Sequence, residues 1–382
     1  MLPMPDDLDS DDLGSTPNQR ADTLETLLSR PPSWRRRLFL SSVVLVFMAM
    51  ALVIIWRLSP PALRSAFATS TPILLTPMLA PGGKVSATIH LETVHAHTFI
   101  AASATAIWVH DGPSGTVTRI DPATDTVVAR LAIGGSDVGA VAIDQQAVWV
   151  AEASTGVVSR IDPERNQVTA TVPLLPGVAL LTISPGAVWA VNVPNNTVTK
   201  IDEQTNRVVA TVSTPPLPIG VTFGAGSVWI CSRHGGAAAV TRLDPQTNQI
   251  QAQIDVSKDR GGKDRGLWCN GDLQVTSQGV WVPIFDTLSS LHQHLLERID
   301  PVTNNVTDLI ALEADMNPSI AADDHGVWVC DPTTGLYRVD PQTRRVVADV
   351  RVSGGDSLAF GAGSLWLTRT SDNSVVRITP DR

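Results

Sequence analysis

Ala147-Val-Trp-Val-Ala-Glu-Ala-Ser-Thr-Gly-Val-Val-Ser-Arg-Ile-Asp-Pro-Glu-Arg-Asn166, followed by Gln167-Val-Thr-Ala-Thr-Val172, carries three strands and the turns between them. Gly139–Ile143 just upstream supplies a fourth, and alternation with β-branched enrichment favours strand over helix. The segment around Trp149 is apolar on both faces, as a strand buried between two neighbouring sheets must be. Asp162-Pro163 opens a turn: the Asp carboxylate accepts from the backbone two residues on, and Pro presets the following φ.

The same unit recurs at Trp108, Trp149, Trp189, Trp229, Trp281, Trp328 and Trp366. After each comes a basic residue, an aliphatic one and usually Asp-Pro. The basic member is Arg119, Arg160, Lys200, Arg242, Arg298, Arg338 or Arg377. The Asp recurs at Asp121, Asp244, Asp300 and Asp340, whereas Asp202 lacks the Pro and Thr379 replaces the Asp. A self-similar unit of roughly 40 residues rich in Val, Ile and Thr marks a propeller blade. The fold class is therefore all-β, a seven-bladed β-propeller with four-stranded antiparallel blades. Residues 84–91 match the outermost strands, and nothing before them resembles the rest of a blade. The N-terminal strand is thus expected to complete the last blade and remove the free edges of an open array.

Residues 1–37 hold Asp6, Asp7, Asp9, Asp11 and Asp12 and little that builds a core, which reads as a disordered acidic tail. Residues 38–56 are an uncharged apolar run of transmembrane length, with Arg35, Arg36 and Arg37 on the N-terminal side. The positive-inside bias places the tail in the cytoplasm and the propeller outside, held by an uncleaved single-pass signal-anchor helix. A cleaved signal peptide ending near Ala66-Phe-Ala68 is the alternative. Residues 57–83 read as a stiff Pro-rich linker, and 84–382 as the propeller. A net charge of −9 argues against nucleic acid as the partner.

Polar groups near the axis are expected two or three positions after each Trp: His110/Asp111, Ala151/Glu152, Val191/Asn192, Cys231/Ser232, Pro283/Ile284, Cys330/Asp331 and Thr368/Arg369. One reading is a central pocket for a small polar ligand or a cation, Mg²⁺ or Ca²⁺; the other is a solvated channel mouth. Two insertions open on the same face. One, 255–268, brings Lys258, Arg260, Lys263, Arg265 and Trp268; the other, 285–296, brings His292 and His294. Insertions in repeat proteins collect on the binding face. The candidate ligand-binding set is His110, Asp111, Glu152, Asn192, Arg233, His234, Trp268, Asp331 and Arg369. Neither a catalytic constellation nor a resident cofactor or metal set stands out. Among the cysteines, a Cys231–Cys269 bridge between adjacent blades is one possibility. Cys330 as the partner of Cys269, a three-Cys metal site, or three separate buried thiols are the others.

Trp149-Val-Ala-Glu152, Trp189-Ala-Val-Asn192 and the repeated Arg-Ile-Asp-Pro turns resemble the YVTN-type β-propeller repeat family of surface proteins, with Trp in place of the Tyr. That resemblance runs from about Lys84 to Arg382 and implies a secreted or surface binding module. The unit is also similar to virginiamycin B lyase-like propellers, which implies a lyase using His, Glu and Mg²⁺ on one face, with Glu152 at a matching position. His292 and His294 depart from that pattern by lying in an insertion. The functional expectation is a membrane-anchored extracytoplasmic module that binds a small molecule or a surface protein. The alternative is a lyase or lactonase with a divalent cation in the axial pocket.

Overall fold

A computed structural model describes residues 80–381 except 97, 136–138, 235–236, 257–266, 270, 287–293, 313–317, 334, 351 and 353. Within them the chain forms seven antiparallel sheets, each running in sequence order from an inner to an outer strand. The first blade is Thr98–Ala102, Ile107–Asp111, Thr116–Asp121 and Thr126–Ala132, and the second is Val141–Ile143, Val148–Glu152, Val157–Asp162 and Gln167–Pro173. Inner strands of consecutive blades lie side by side all the way round, the seventh beside the first. The expected tail, apolar run and most of the linker (1–79) lie outside the described residues. Among the described residues no helix is long and apolar enough to cross a membrane.

Gly83–His90 zips antiparallel onto Ser374–Pro380, from Gly83 opposite Pro380 to His90 opposite Ser374. It is a full outer strand in detail as well as in position. In every blade the ladder between third and outer strands slips by one residue beside the basic residue of the repeat. In the closing strand the extra residue is Ser86, between Val85 and Ala87. A bulge of this kind adds local twist and leaves one residue unpaired. It also accounts for Val128 and Val209, 47% and 55% exposed, which are the extra residues of their strands. Ala80–Pro81 adds a short parallel strand to the outer edge of the sixth blade.

The seven repeat tryptophans are all at most 1% exposed, at the centre of sheets packed face to face. Over each ring sits the repeat's own cation, 5.1–5.7 Å from the centroid. Those cations reach across to the next blade. Arg160 donates to Glu203 O at 2.8 Å and Asn206 Oδ1 at 3.1 Å. Arg119 meets Pro163 O and Asn166 in the same way, Arg242 meets Pro301 O and Asn304, and Arg377 meets Pro122 O and Asp125. The turn is shaped for this. Its Asp accepts from the N–H two residues on, as at Asp162 and Asp244. Its last residue, Asn166, Asn206, Asn248 or Asn304, has φ of 54–58°, a region that Asn tolerates. Arg338 has no such turn ahead of it and donates to Asp381 O instead. Where Arg344 replaces the Asn, Asp308 binds both Arg298 and Arg344.

One junction is incomplete. Lys200 donates to Pro245 O at 2.6 Å, but an ammonium lacks the guanidinium fork. Asn248 Oδ1 is left buried with no hydrogen-bond partner. Lys200→Arg should supply that bond and stabilise the ring by about 1 kcal/mol. The expected readout is a higher urea midpoint at unchanged slope; an unchanged or lower midpoint would count against the junction as described.

The third blade's turn carries Glu203 where five other turns have Pro. Burial pushes the Glu203 carboxyl up to about 7; the charge and hydrogen bond of Asp144 add to this, while Arg160 and Trp149 pull the other way. The folded chain therefore keeps a proton there that the unfolded chain releases near the ordinary value of 4.5. Stability falls as pH rises from about 4.5 to about 7, and the loss is complete above that window. Glu203→Gln should flatten the dependence and gain about 1 kcal/mol at pH 8, the solvent-screened size for a half-buried group. Parallel pH profiles of melting temperature for the two proteins would argue against it.

Candidate functional site

The turns from second to third strand and the links between blades open on one face of the disc, here the upper face. The second strands of the first, second, third and sixth blades (Ile107–Asp111, Val148–Glu152, Ala187–Asn192 and Gly326–Asp331) are buried along their whole length. This decides the fate of the polar residues expected at the rim. His110, Asp111, Glu152, Asn192 and Asp331 are at most 4% exposed, because the neighbouring blade and its link cover the ends of these strands. They do not form an open ring about the axis.

Each of them fastens a link or a junction. Asp111 accepts from Thr93 at 2.8 Å, His95 at 2.9 Å and Thr98 at 3.2 Å, which holds the crossover from the closing strand into the first blade. Burial raises its pKa, but hydrogen bonds from Ser114, His95 and Thr93 outweigh that and hold the carboxyl below its usual range. Asn192 donates to Leu175 O and Pro176 O at 2.9 and 3.0 Å, and Asp331 accepts from Thr333 N at 2.9 Å. Arg369 pairs with Asp372.

His110 and Glu152 form a cross-blade pair, Nε2 to Oε1 at 3.0 Å, while His110 Nδ1 faces Gly139 O at 3.1 Å. A carbonyl only accepts, so Nδ1 carries a proton and donates it. A Cβ at Gly139 would come within 1.9 Å of Ala151 O and 2.8 Å of His110 Cε1, so only glycine fits this close approach. The side chains of the pair are 0% and 3% exposed, which leaves a substrate no access to either.

At the fourth and fifth blades an exposed side chain outside the repeat, Trp268, stands at the upper end of the sheet. In the fifth blade the inner partner of Gly279–Asp286 is split in two: Leu267–Cys269 pairs with its upper end and Gln274–Thr276 with its lower end. Cys269 is joined by a disulfide to Cys231 on the second strand of the fourth blade, with Cα atoms 6.1 Å apart. The free thiol is Cys330, buried and pushed up to about 12 by burial and then by Asp331 and Asp356. Below the disulfide, Gly271 O lies 2.0 Å from where a Cβ of Gly220 would be, so the two blades touch backbone to backbone.

This bracing presents Trp268, which is 37% exposed, unlike the tryptophans of the repeat. Arg233 lies over it, Cζ 3.5 Å from the ring centroid. Phe285 meets Trp268 edge to face at 6.5 Å, and His294 stacks on Phe285 at 4.4 Å. The platform thus uses Arg233 and Trp268 of the expected set together with Phe285, whose place in the second insertion was its only sequence signal. His234 ends its strand opposite Ala237, and its side chain lies outside the described residues, as do Lys258, Arg260, Lys263, Arg265 and His292. His294 is buried beneath Phe285 rather than open to a metal. Among the described residues no three His, Cys, Asp or Glu side chains gather as a metal site, so Mg²⁺ or Ca²⁺ gains no donor set from them.

No family model matches the chain, and no curated protein matches it. Solved structures do. Hydrazine synthase of Kuenenia stuttgartiensis aligns with a TM-score of 0.63 at 15% identity, over 76% of this chain and 98% of that one. A streptogramin B lyase aligns at 0.60 and 10% identity, over 77% and 97%. The β-propeller domain of Myceliophteria thermophila Cps50 (Swd1) aligns at 0.61 and 11% identity, over 78% and 99%. At such identities the likeness is one of fold, and proteins of unlike function share it. With its seven sheets, its repeated Trp–cation units and its closing N-terminal strand, the chain has the fold of a seven-bladed β-propeller.

Proposed function

We propose that the chain is a membrane-anchored extracytoplasmic binding module whose recognition surface is the upper rim of the fourth and fifth blades. One observation carries this reading: Trp268 stands exposed at 37%, outside the repeat, on a strand joined by a disulfide to the neighbouring blade. An aromatic side chain held rigid by its support supplies contact area at little entropic cost, which is what a recognition site needs. The disulfide also supports an oxidising compartment, in keeping with the apolar run 38–56 and its flanking arginines. The alternative, a lyase-type enzyme, would need acid–base groups converging on a substrate, and the buried His110–Glu152 pair is closed to one.

The test is a thermal-shift screen of the full-length chain against glycans, peptides and small metabolites. A ligand that raises the melting temperature of the wild type but not of Trp268→Ala supports the site. A ligand that stabilises both equally places binding elsewhere. Membrane fractionation tests the anchor: deletion of residues 38–56 should move the protein to the soluble fraction, and retention in the membrane would contradict the anchor.

A further inference from the structure

The described residues form eight cation–tryptophan stacks, and one differs from the rest in what its cation does. In the seven repeat pairs the cation always spends N–H donors on a protein acceptor. Arg160 bonds Glu203 O and Asn206, Lys200 bonds Pro245 O, Arg338 bonds Asp381 O, and Arg298 pairs with Asp308. Those cations are structural clamps and their rings are buried. The eighth pair, Arg233 over Trp268, is off the repeat. Its ring is exposed, and among the described residues its guanidinium has neither a carboxylate nor a carbonyl partner.

A guanidinium stacked face-on against an indole keeps its donors available, because all five N–H bonds lie in the guanidinium plane. Resting on that ring strips water from Arg233, and burial pulls its pKa down. A partly dehydrated cation with unspent donors is an acceptor-seeking group, and a carboxylate matches its fork with two parallel bonds. Arg233 covers one face of Trp268, and the exposed remainder of the ring offers apolar area to the C–H face of a pyranose. The net charge of −9 disfavours anion binding to the molecule at large, but the 255–268 insertion also carries Lys258, Arg260, Lys263 and Arg265, so the contribution of Arg233 is read from its own substitution.

Resting on the binding-module reading above, we infer that the Arg233–Trp268 stack recognises a carboxylate-bearing saccharide, with Arg233 taking the carboxylate and Trp268 the sugar ring. The experiment is isothermal titration of the full-length chain with three probes. Trigalacturonate has both features, its methyl ester keeps the rings without the charge, and triglutamate keeps the carboxylates without the rings. Saturable binding of trigalacturonate is expected, weakened about tenfold or more by esterification and by Arg233→Gln. Trp268→Ala should weaken trigalacturonate, and triglutamate should bind at least about tenfold less tightly than trigalacturonate. The inference is overturned if trigalacturonate does not bind, if Arg233→Gln leaves its affinity unchanged, or if triglutamate binds equally well. Two further outcomes separate the claims. Equal binding of acid and ester, both lost in Trp268→Ala, overturns the carboxylate specificity but keeps the site. Binding of the acid that survives Trp268→Ala removes the site as well.

Discussion

A chain truncated to begin after Leu91 should not fold as a cooperative unit. The lost segment is the outer strand of the seventh blade, hydrogen-bonded along Ser374–Pro380, together with Ile89 and Leu91, which are only 7% and 9% exposed. Burying those two side chains alone contributes about 3–6 kcal/mol, out of a typical domain total of about 5–15 kcal/mol. The truncation also leaves an unpaired edge on the last blade, where another chain can add. The expected thermal scan has no sigmoidal transition. Adding residues 80–91 as a peptide should restore it, because an added strand can complete an open sheet edge. The single change Ile89→Ala should cost about 2–4 kcal/mol. A truncated chain that melts like the full-length protein would contradict closure by this strand.

The second large effect sets two tryptophans apart. Trp149 is fully buried, with Arg160 above its ring, and Trp149→Ala should cost about 3–5 kcal/mol. Trp268→Ala removes a ring that is 37% exposed and packed against Arg233 and Phe285. Its cost should stay near 1 kcal/mol, the size of an exposed cation–π contact. Urea titrations of both variants check this: a large midpoint shift is expected for the first and a small one for the second. Equal shifts would mean that Trp268 is a structural residue like the others.

The blade plan was legible because it repeats. Each Trp sits at the same place between the same turn signals, and sheets packed face to face need an apolar second strand. The closing strand was legible for the same reason, since residues 84–91 carry the outer-strand pattern and nothing before them resembles the rest of a blade. The rim was harder. Counting two or three positions past each Trp found polar residues such as Asp111, Glu152 and Asn192. A count along one chain cannot tell, however, whether the neighbouring blade covers them, and it does. The seven basic residues were visible as a pattern, but their role lies between blades. Arg119 meets Pro163 and Arg160 meets Glu203, each about one repeat further on. A constant offset between the basic residue and the following Asp-Pro-x-x-Asn turn was the available signal. Arg233 and Trp268 were readable as candidates because both break the repeat, whereas their stacking was not, because it depends on the Cys231–Cys269 bridge that holds Leu267–Cys269 against the fourth blade.

We propose a division of labour: cation–tryptophan pairs inside the repeat hold the ring, and the pair outside it binds. The most direct measurement compares Arg160→Gln with Arg233→Gln, recording melting temperature and trigalacturonate affinity for each. Arg160→Gln should lower the melting temperature and leave affinity unchanged, whereas Arg233→Gln should weaken affinity about tenfold or more and leave the melting temperature nearly unchanged. If both substitutions shift the same quantity in the same way, the two kinds of pair are not distinct and the assignment fails.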